Sequence, residues 1–403
     1  MALMPVADAL AAVLDGAKAS ATEMVALPAA HRRVLAQDLT ALRTQPPQPM
    51  SAMDGYAVRA ADAAAVPAQL RVIGEIAAGR PAELALGEGQ ALRIFTGGVI
   101  PDGADAVVIQ ENTSRDGDIV TIREPAQPGR HIRPAGVDFR TGEVLLQAGT
   151  RLSDRDLALA AGMNHPSLPV HRRPRVAMLA TGDELVMPGT DPLPGQIVYS
   201  NGYALRALAE AEGAEVIDLG IAADTIEATR AAIRRAVDAG VDLLITTGGA
   251  SAGDHDLVKG SLEAEGTSIA FWKIAMRPGK PMMHGKLGPM RVIGLPGNPV
   301  SSYVCAFLFM VPLIRALSGM REVHHQRRPA RLGRAVSAND HREDYLRATL
   351  SLDDTGSLIA TTVDKQDSSL LARLSAAQAL LIRPPLAPAA EAGAPCLILK
   401  LPR

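Results

Sequence analysis

Between Arg175 and about Gly319, short apolar runs alternate with helical patterns, and this alternation constrains the fold more than any other feature of the chain. Neighbouring parallel strands need a crossover connection, which is usually a helix, so the pattern is typical of βαβ units. Four runs have the length and apolar content of buried strands, namely VAMLA (176–180), VIDLG (216–220), LLITT (243–247) and RVIGL (291–295). The sequence therefore predicts a three-layer α/β domain with a mostly parallel sheet over residues 175–325.

The helical patterns in this region carry recognisable end signals. Asp224, followed three positions later by Glu227, predicts a capping box at the start of one helix. A long apolar helix is expected from about Asn298 to Leu317. We expect it to bend or break at Pro312, because proline has no N–H to donate to the helix.

The rest of the chain has a different pattern. Residues 48–140 contain short β-like runs broken by glycine and proline, which predicts a β-rich module. Residues 26–47 and 141–174 flank this module and are expected to form one linking α+β domain, because the inserted module would otherwise need a long structureless connection. Residues 1–25 indicate an N-terminal amphipathic helix, and the short strand patterns of residues 326–403 indicate a small β-barrel.

Composition excludes several classes of function. The 41 Lys and Arg residues nearly balance the 43 Asp and Glu residues, so the net charge of -2 creates no field that would recruit nucleic acid or a membrane. Cys305 and Cys396 lie in apolar runs, where burial is expected rather than a disulfide. The N-terminus lacks the basic region of a signal peptide, and the longest apolar run, 304–314, is too short to span a bilayer. We expect a soluble, cytoplasmic protein.

The sharpest local motif is TTGGASAGDHD, at the end of the strand 243–247. Ligands of open α/β sheets bind outside the carboxyl ends of strands, and glycines let the backbone approach a phosphate closely. Asp254 and Asp256 add two carboxylates beside this predicted anion site, and a hard cation such as Mg²⁺ would compensate their repulsion. A glycine-rich turn whose aspartate only caps the next helix is the alternative. The candidate binding residues here are Gly248, Gly249, Ser251 and Gly253.

Two other strand ends carry similar signals. In GLPGNPVSS, Pro296 and Gly297 force a turn and Asn298 can cap the following helix, whose N-terminus is an anion site. A plain helix cap would look similar. In ATGDELV, the polar residues are Thr181, Gly182, Asp183 and Glu184, and a solvated turn is equally consistent with them.

Cations lie in FWKIAMRPGKP, where Lys273, Arg277 and Lys280 could hold an oxyanion through charge-assisted hydrogen bonds or simply form a solvated face. In the N-terminal half, Asp54–Gly55 is by default a hairpin turn. Neither a Ser/His/Asp nor a Cys/His constellation and no Cys-x-x-Cys spacing is present, so covalent nucleophilic catalysis and a structural zinc site lack support.

Several motifs together resemble one family. They are SAMDGYAVR (51–59), RIFTGGVIPDGADAVV (93–108), IRPAGVDF (132–139), ATGDEL (180–185), SNGY (200–203), TTGGASAGDHD, FWKIAMRPGKP and GLPGNPVS. Their order is that of the MoeA family, which includes the gephyrin E domain. The resemblance runs from about residue 48 to 305 and weakens beyond.

The resemblance implies a homodimer of four-domain subunits, with residues 175–325 similar to the molybdopterin-binding MogA domain. It implies an active-site cleft between this domain and the β-rich module of the other subunit. Carried over residue by residue, the catalytic residues are Asp54, Thr96, Arg133, Asp138, Glu184, Asp256, Lys273 and Arg277, and the metal ligands are Asp256, Asp224 and Asp54. The expected cofactor-binding residues are Thr181, Gly182, Ser200, Asn201, Gly248, Gly249, Ser251, Gly253, Pro296, Gly297 and Asn298.

The chain departs from the family pattern in two places. Arg277 stands where many members have lysine, which keeps the charge but changes the hydrogen-bond geometry. QDSSLL (366–371) only loosely matches a Gln-Gly-Ser stretch, so the C-terminal domain is assigned by position more than by motif.

The function implied by the resemblance is that of a molybdopterin molybdenumtransferase, which would insert molybdate into adenylylated molybdopterin and release AMP with the help of Mg²⁺. Transient contacts with a molybdopterin adenylyltransferase and with cofactor acceptors are expected. One alternative is an adenylyltransferase of the MogA type, and another is a pterin-binding scaffold without turnover. A nicotinamide dehydrogenase is disfavoured, because no G-x-G-x-x-G follows the first strand of the βαβ region.

Overall fold

The structure, a computed structural model, describes residues 3–80, 84–248, 257–271 and 273–402. Helix α1 (Val6–Leu14) opens the described chain and buries Val6, Ala9 and Val13 in the core of the α/β domain. The helix is shorter than the predicted segment 1–25, since residues Thr22–Ala26 form strand β1. A 3₁₀ turn (Leu27–Ala29) and strand β2 (Leu39–Thr40) follow.

The β-rich module comes next. Its strands are β3 (Met50–Ser51), β4 (Gly55–Val58), β5 (Ala68–Ile76), β6 (Gln90–Ile94), β7 (Ala106–Ile109), β8 (Thr113–Asp116), β9 (Ile119–Ile122) and β10 (Ile132–Arg133). A six-stranded sheet has the order β7-β4-β6-β5-β9-β8, and β3 pairs with β10 instead. The default hairpin at Asp54–Gly55 is therefore wrong, because the strands on either side of this turn belong to different sheets.

The chain then returns to the linking segments through β11 (Val144–Leu146), α2 (Asp154–Gly162) and β12 (Ser167–His171). β11 pairs with β2, and β12 pairs with β1. Side chains from both segments, such as Leu35 and Leu168, share one buried core. Strands that are more than a hundred residues apart in sequence thus close around the insertion point of the module.

The α/β domain follows. Its elements are β13 (Arg175–Thr181), β14 (Leu185–Val186), β15 (Ile197–Val198), α3 (Asn201–Ala211), β16 (Glu215–Ala222), α4 (Ile226–Asp238), β17 (Leu243–Thr247), α5 (Leu257–Ala264), β18 (Ser268–Phe271), β19 (Met276–Arg277), β20 (Met283–Leu287), β21 (Met290–Leu295), α6 (Pro299–Cys305) and α7 (Val311–Leu317). The sheet order is β16-β13-β17-β21-β20-β18, in which the first four strands are parallel. The predicted strands are present, and the antiparallel edge made by β20 and β18 is an addition to them.

Two helix predictions need correction. Thr225, not Asp224, is the N-cap of α4, and its side chain accepts a hydrogen bond from the N–H of Ala228. The helix 299–317 does not break at Pro312: a π-helical segment (Ala306–Met310) joins α6 to α7 immediately before that residue. The wider hydrogen-bond spacing of the π-helical segment accommodates Pro312, which has no N–H to donate. In the described part of the chain this helix is long and apolar enough to cross a membrane, but 83% of it is buried inside the protein.

The C-terminal region closes into a barrel. Its elements are β22 (Arg327–Leu332), β23 (Glu343–Leu352), β24 (Leu358–Thr362), α8 (Leu371–Ser375), β25 (Ala379–Arg383) and β26 (Pro395–Lys400). The pairings β23–β24, β24–β22, β22–β26, β26–β25 and β25–β23 form a ring, which leaves no free edge. β19 of the α/β domain pairs with β23 and attaches the barrel. The predicted multidomain α/β fold with a C-terminal barrel is confirmed.

Acid should destabilise this fold partly through His284, which is fully buried on β20 with Nδ1 3.0 Å from the carbonyl oxygen of Val292. Burial lowers the pKa of His284 from 6.5 to about 4. The unfolded chain therefore binds a proton first as the pH falls through this window, and the native state loses on the order of 3 kcal/mol.

We expect the urea midpoint of the wild type to fall more steeply between pH 6.5 and pH 4 than that of His284→Gln, because the pKa of His284 in the unfolded and folded states bounds this range. His324→Gln, a change at an exposed histidine, is the control and should keep the wild-type slope. Equal slopes for all three proteins would contradict the prediction.

Candidate active site

The carboxyl ends of β13, β17 and β21 lie side by side, and the turns that leave them meet. Gly248 has a φ of +88°, and a Cβ atom there would lie 2.2 Å from the carbonyl oxygen of Thr181. A Cβ atom on Gly297 would be 3.9 Å from the Cα atom of Gly248. The two glycine turns therefore share one crevice, and only glycine fits at position 248.

Several predicted residues of the first glycine loop fall in a gap of the description. Gly249, Ser251, Gly253 and Asp256 lie outside the described residues, together with Asp254. Their predicted roles in phosphate and metal binding stay predictions.

The turn at Gly297 is held from two sides. Asn201 Nδ2 donates to the carbonyl of Gly297 at 2.7 Å, and Asn298 Nδ2 donates to Ser368 Oγ at 3.2 Å. Asn298 makes no side-chain cap bond, so its expected capping role is replaced by the contact with the C-terminal domain. Ser200 stands at the N-cap position of α3, also without a side-chain cap bond, and Pro296 is buried.

Two residues of the C-terminal domain belong to this neighbourhood: Ser368, which matches the family's Gln-Gly-Ser stretch only loosely, and Arg347, which the sequence reasoning missed. The carbonyl of Ser368 accepts the N–H of Val300 at 3.0 Å, at the start of α6. Arg347 is fully buried, and its guanidinium donates to the carbonyls of Lys365, Asp367 and Leu370 at 2.9 to 3.3 Å. An arginine within a strand has no local signal for this role, because its partners come from a loop that the fold brings back to it.

Acidic side chains border the crevice at β13 and β16. The main-chain N–H of Asp183 donates to Asp224 Oδ2 at 3.3 Å, and that of Asp224 donates to Asp183 Oδ1 at 3.1 Å. The carboxylate of Glu184 folds against Gly182, where a Cβ atom would lie 2.6 Å from Oε2. Asp183 and Asp224 are therefore neighbours, and no group of three potential ligands close enough to hold a metal occurs among the residues outside the gaps.

Buried hydroxyl groups face the same region. Thr181 and Thr246 are buried, and their Oγ1 atoms have no hydrogen-bond partner within the described protein. Thr181 Oγ1 would lie 3.1 Å from a Cβ on Gly248. An unpaired buried hydroxyl costs free energy, so these positions favour a polar ligand or water at the strand ends.

The predicted residues of the β-rich module also come together. Asp54 Oδ1 accepts the N–H of Thr96 at 2.7 Å and its hydroxyl at 2.8 Å. These two hydrogen bonds and the nearby Arg93 keep the pKa of Asp54 below its usual value. The N–H of Gly97 donates to the carbonyl of Ser51 at 2.9 Å, which ties the Thr96 turn to the Asp54 turn.

Arg133 lies on β10, opposite Met50 on β3, and its side chain is exposed. Asp138 is exposed as well, five residues further along, and its N–H donates to the carbonyl of Gln45 at 3.1 Å. Strand β10 thus brings Arg133 next to β3, which precedes the Asp54 turn, whereas Asp138 contacts the chain at Gln45. Strand pairings tie this module to the linking segments, and a cleft formed with a second subunit stays a prediction.

Arg277 and Lys273, two cations of the motif FWKIAMRPGKP, have different surroundings. Arg277 donates through Nε and Nη2 to the two carboxylate oxygens of Asp344, at 3.0 and 2.6 Å. Asp344 is buried, whereas 48% of the Arg277 side chain is exposed. The main-chain carbonyl of Lys273 accepts a hydrogen bond from the N–H of Met4. This contact does not involve the ammonium group of Lys273. A buried carboxylate thus orients Arg277, whose Nη1 makes no hydrogen bond with the part of the chain that the structure describes.

Comparisons with family models cover almost the whole chain. Residues 4–163 match the MoeA N-terminal region (domains I and II), residues 177–316 match a probable molybdopterin binding domain, and residues 329–401 match the MoeA C-terminal region (domain IV).

Individual proteins match along most of their length. A molybdopterin molybdenumtransferase of Bacillus subtilis is 37% identical over 390 residues, which cover 94% of this chain and 90% of the relative. A protein of the same name from Nostoc sp. is 42% identical over 74% of this chain and 70% of its own. The crystal structure of the molybdopterin biosynthesis MoeA protein from Pyrococcus horikosii aligns with a TM-score of 0.85 at 31% identity, and covers 99% of both chains.

The contact at Gly248 generates a mutational prediction. Gly248→Ala would place a methyl group against a main-chain oxygen in a backbone conformation that alanine rarely adopts. We expect a loss of roughly 2–4 kcal/mol in the free energy of unfolding and loss of ligand binding at the crevice. Thermal denaturation and ligand titration measure both effects.

The control is Gly260→Ala on α5, where a Cβ atom meets nothing within 4 Å. It should keep binding and should be as stable as the wild type or slightly more stable, since alanine favours helix. A Gly248→Ala protein with wild-type stability and binding would show that the turns do not meet as described.

Proposed function

The chain belongs to the MoeA family, and from that premise we propose that it is a molybdopterin molybdenumtransferase, which inserts molybdate into adenylylated molybdopterin and releases AMP. The observation that carries the proposal is the shared crevice of Gly248 and Gly297 at the carboxyl edge of the sheet. Acidic residues border this crevice on one side, and a cationic segment precedes β20 on the other. This combination suits a phosphorylated substrate together with an oxyanion.

The phosphate groups of the substrate would lie against the two glycine turns. At Gly297 the main chain is exposed, and its carbonyl is already engaged by Asn201, so the turn is held rigid for a ligand. The carbonyl of Ser368, in the C-terminal barrel, accepts the N–H of Val300 at the start of the following helix. Main-chain N–H groups at a helix start bind anions, and a rigid turn offers them without a reorganisation cost.

Magnesium would be held by Asp256 and Asp224 with the help of Asp54. The donor set fits, because carboxylate oxygens are the ligands that Mg²⁺ prefers, and hydrogen bonds from Thr96 keep Asp54 ionised. When bound, the ion would neutralise the charge of the pyrophosphate group. Asp224 keeps its carboxylate at the crevice edge through its exchange of hydrogen bonds with Asp183.

Molybdate would be concentrated by Lys273 and Arg277. It is a tetrahedral dianion, and guanidinium and ammonium groups supply charge-assisted hydrogen bonds to such ions. Asp344 fixes the plane of the Arg277 guanidinium, so its Nη1 group has a defined direction. No residue of this set needs to act as a covalent nucleophile. Positioning and charge stabilisation would carry the reaction.

The proposal includes a cytoplasmic homodimer, in which the module of one subunit faces the crevice of the other. Asp54, Thr96, Arg133 and Asp138 would then complete the site from the partner's side. Substrate would arrive from a molybdopterin adenylyltransferase and product would leave to cofactor acceptors. An assay with adenylylated molybdopterin and molybdate separates the alternatives: AMP release supports the proposal, pyrophosphate-dependent formation of ATP indicates an adenylyltransferase, and stable binding alone indicates a scaffold.

Asp54→Asn tests the acidic side of the site. It keeps the shape of the side chain but removes the charge that the Thr96 hydrogen bonds stabilise. We expect AMP release to fall by about a hundredfold or more, with an increased requirement for Mg²⁺. Asp116→Asn, an exposed change on β8 of the same module, should leave the rate unchanged. A normal rate and a normal Mg²⁺ titration in Asp54→Asn would remove this residue from the site.

Arg277→Lys tests the oxyanion side. Lysine keeps the positive charge but cannot bind both oxygens of Asp344 in one plane, so its orientation is lost. We expect the molybdate concentration for half-maximal AMP release to rise by about tenfold while the maximal rate changes little. Arg328→Lys on β22, where the side chain is exposed, is the control. An unchanged molybdate dependence would mean that Arg277 only joins the barrel to the α/β domain.

A further inference from the structure

Arginines converge on the carboxyl end of helix α3, at the seam between the linking segments and the α/β domain. Arg32 and Arg151 both donate to the carbonyl of Ala211, at 2.8 and 2.5 Å. Arg173 donates to the carbonyl of Gly213 at 3.2 Å. Carbonyls at a helix C-terminus carry a partial negative charge, so these cations stabilise the end of α3.

The positive charge at this seam exceeds the negative charge. Glu212 binds Arg315 through both oxygens, at 3.0 and 2.8 Å, and also pairs with Arg151 at 3.3 Å. Glu23 forms an ion pair with Arg33. Arg32 and Arg173 have no carboxylate within salt-bridge distance in the ranges that the structure describes. Neither guanidinium group therefore has a direct ion-pair partner in the described residues, although the charge of Glu23 acts on Arg173.

These two arginines are close to each other. A Cβ atom on Gly213 would lie 3.9 Å from the carbonyl oxygen of Arg32 and 4.0 Å from Arg173 Nη1. Partial burial lowers the pKa of Arg173, and the charges of Arg33 and Arg32 lower it further, while Glu23 raises it. Both side chains line one shallow groove, which Glu212 also lines, and Arg32 is exposed at its mouth.

We propose that Arg32 and Arg173 form a binding site for a tetrahedral oxyanion in this groove. Each guanidinium carries five N–H groups and uses one of them on α3, so several donors remain for a ligand. Planar guanidinium groups match the oxygens of phosphate-like ions, and a bound dianion would compensate both charges. The site would hold the linking segments against α3.

The site is distinct from the crevice. Helix α3 carries Asn201 at its first turn, where this residue binds the Gly297 turn, and it presents the Ala211 carbonyl at its last turn. The helix has 11 residues, which corresponds to a length of roughly 16 Å. The groove and the crevice therefore lie at opposite ends of one rigid element.

Isothermal titration of the full chain with inorganic phosphate, in chloride buffer of constant ionic strength, tests this site. We expect saturable binding that Arg32→Gln and Arg173→Gln each weaken by about tenfold or more, because glutamine carries no charge. Arg206→Gln is the matched control: it removes one exposed arginine from the same helix, paired with Glu210, and should bind as the wild type does.

A second experiment distinguishes phosphate binding in the groove from binding in the crevice. Asn298→Ala should keep the phosphate site, and molybdate should compete with phosphate in this variant. The proposal fails if the wild type shows no saturable binding, if the two arginine variants bind normally, or if Asn298→Ala loses the site. Should Arg173→Gln fail to fold by circular dichroism, Arg32→Gln at the exposed position still decides the question. Since the readout is binding, its result does not depend on the proposed reaction.

Discussion

The close approach of main chain to main chain at the carboxyl edge of the parallel sheet is the constraint on which the rest of the site depends. Gly248 lies so near the carbonyl of Thr181 that no side chain fits between them, and the Gly297 turn lies beside it. Parallel strands in register place their ends at one level, so turns from separate parts of the sequence become neighbours. The crevice is thus a consequence of sheet topology.

The C-terminal barrel fixes two segments that lie next to the crevice. Buried Arg347 binds three carbonyls of the loop 365–370, and the loop presents Ser368 to the start of α6. Asp344, also buried, orients Arg277. A buried charge is expensive unless it is fully hydrogen-bonded, so each of these contacts limits the conformations of a segment next to the crevice. Rigidity of the site therefore originates partly in another domain.

In the β-rich module, by contrast, the carboxylate is held without deep burial. Asp54 lies at a turn, and two hydrogen bonds from Thr96 keep its carboxylate charged. An accessible, ionised carboxylate suits a surface that must bind a ligand jointly with another surface. The insertion of this module between paired linking strands also gives it a firm base, because β1–β12 and β2–β11 close beneath it.

By itself, the sequence determined the local features: the four parallel strands and the glycine turns that follow two of them. These follow from short-range periodicity and from motifs of a few residues, such as TTGG and PGNP. Only the tertiary structure decided which segments become neighbours. The Asp54 turn links two sheets and not a hairpin, Thr225 and not Asp224 caps α4, and Asn298 turns toward Ser368. Arg277 is bound by Asp344, and Arg347 supports a loop that follows it by some twenty residues. The physical reason is that hydrogen bonds and ion pairs between distant segments depend on chain topology, which no local pattern encodes.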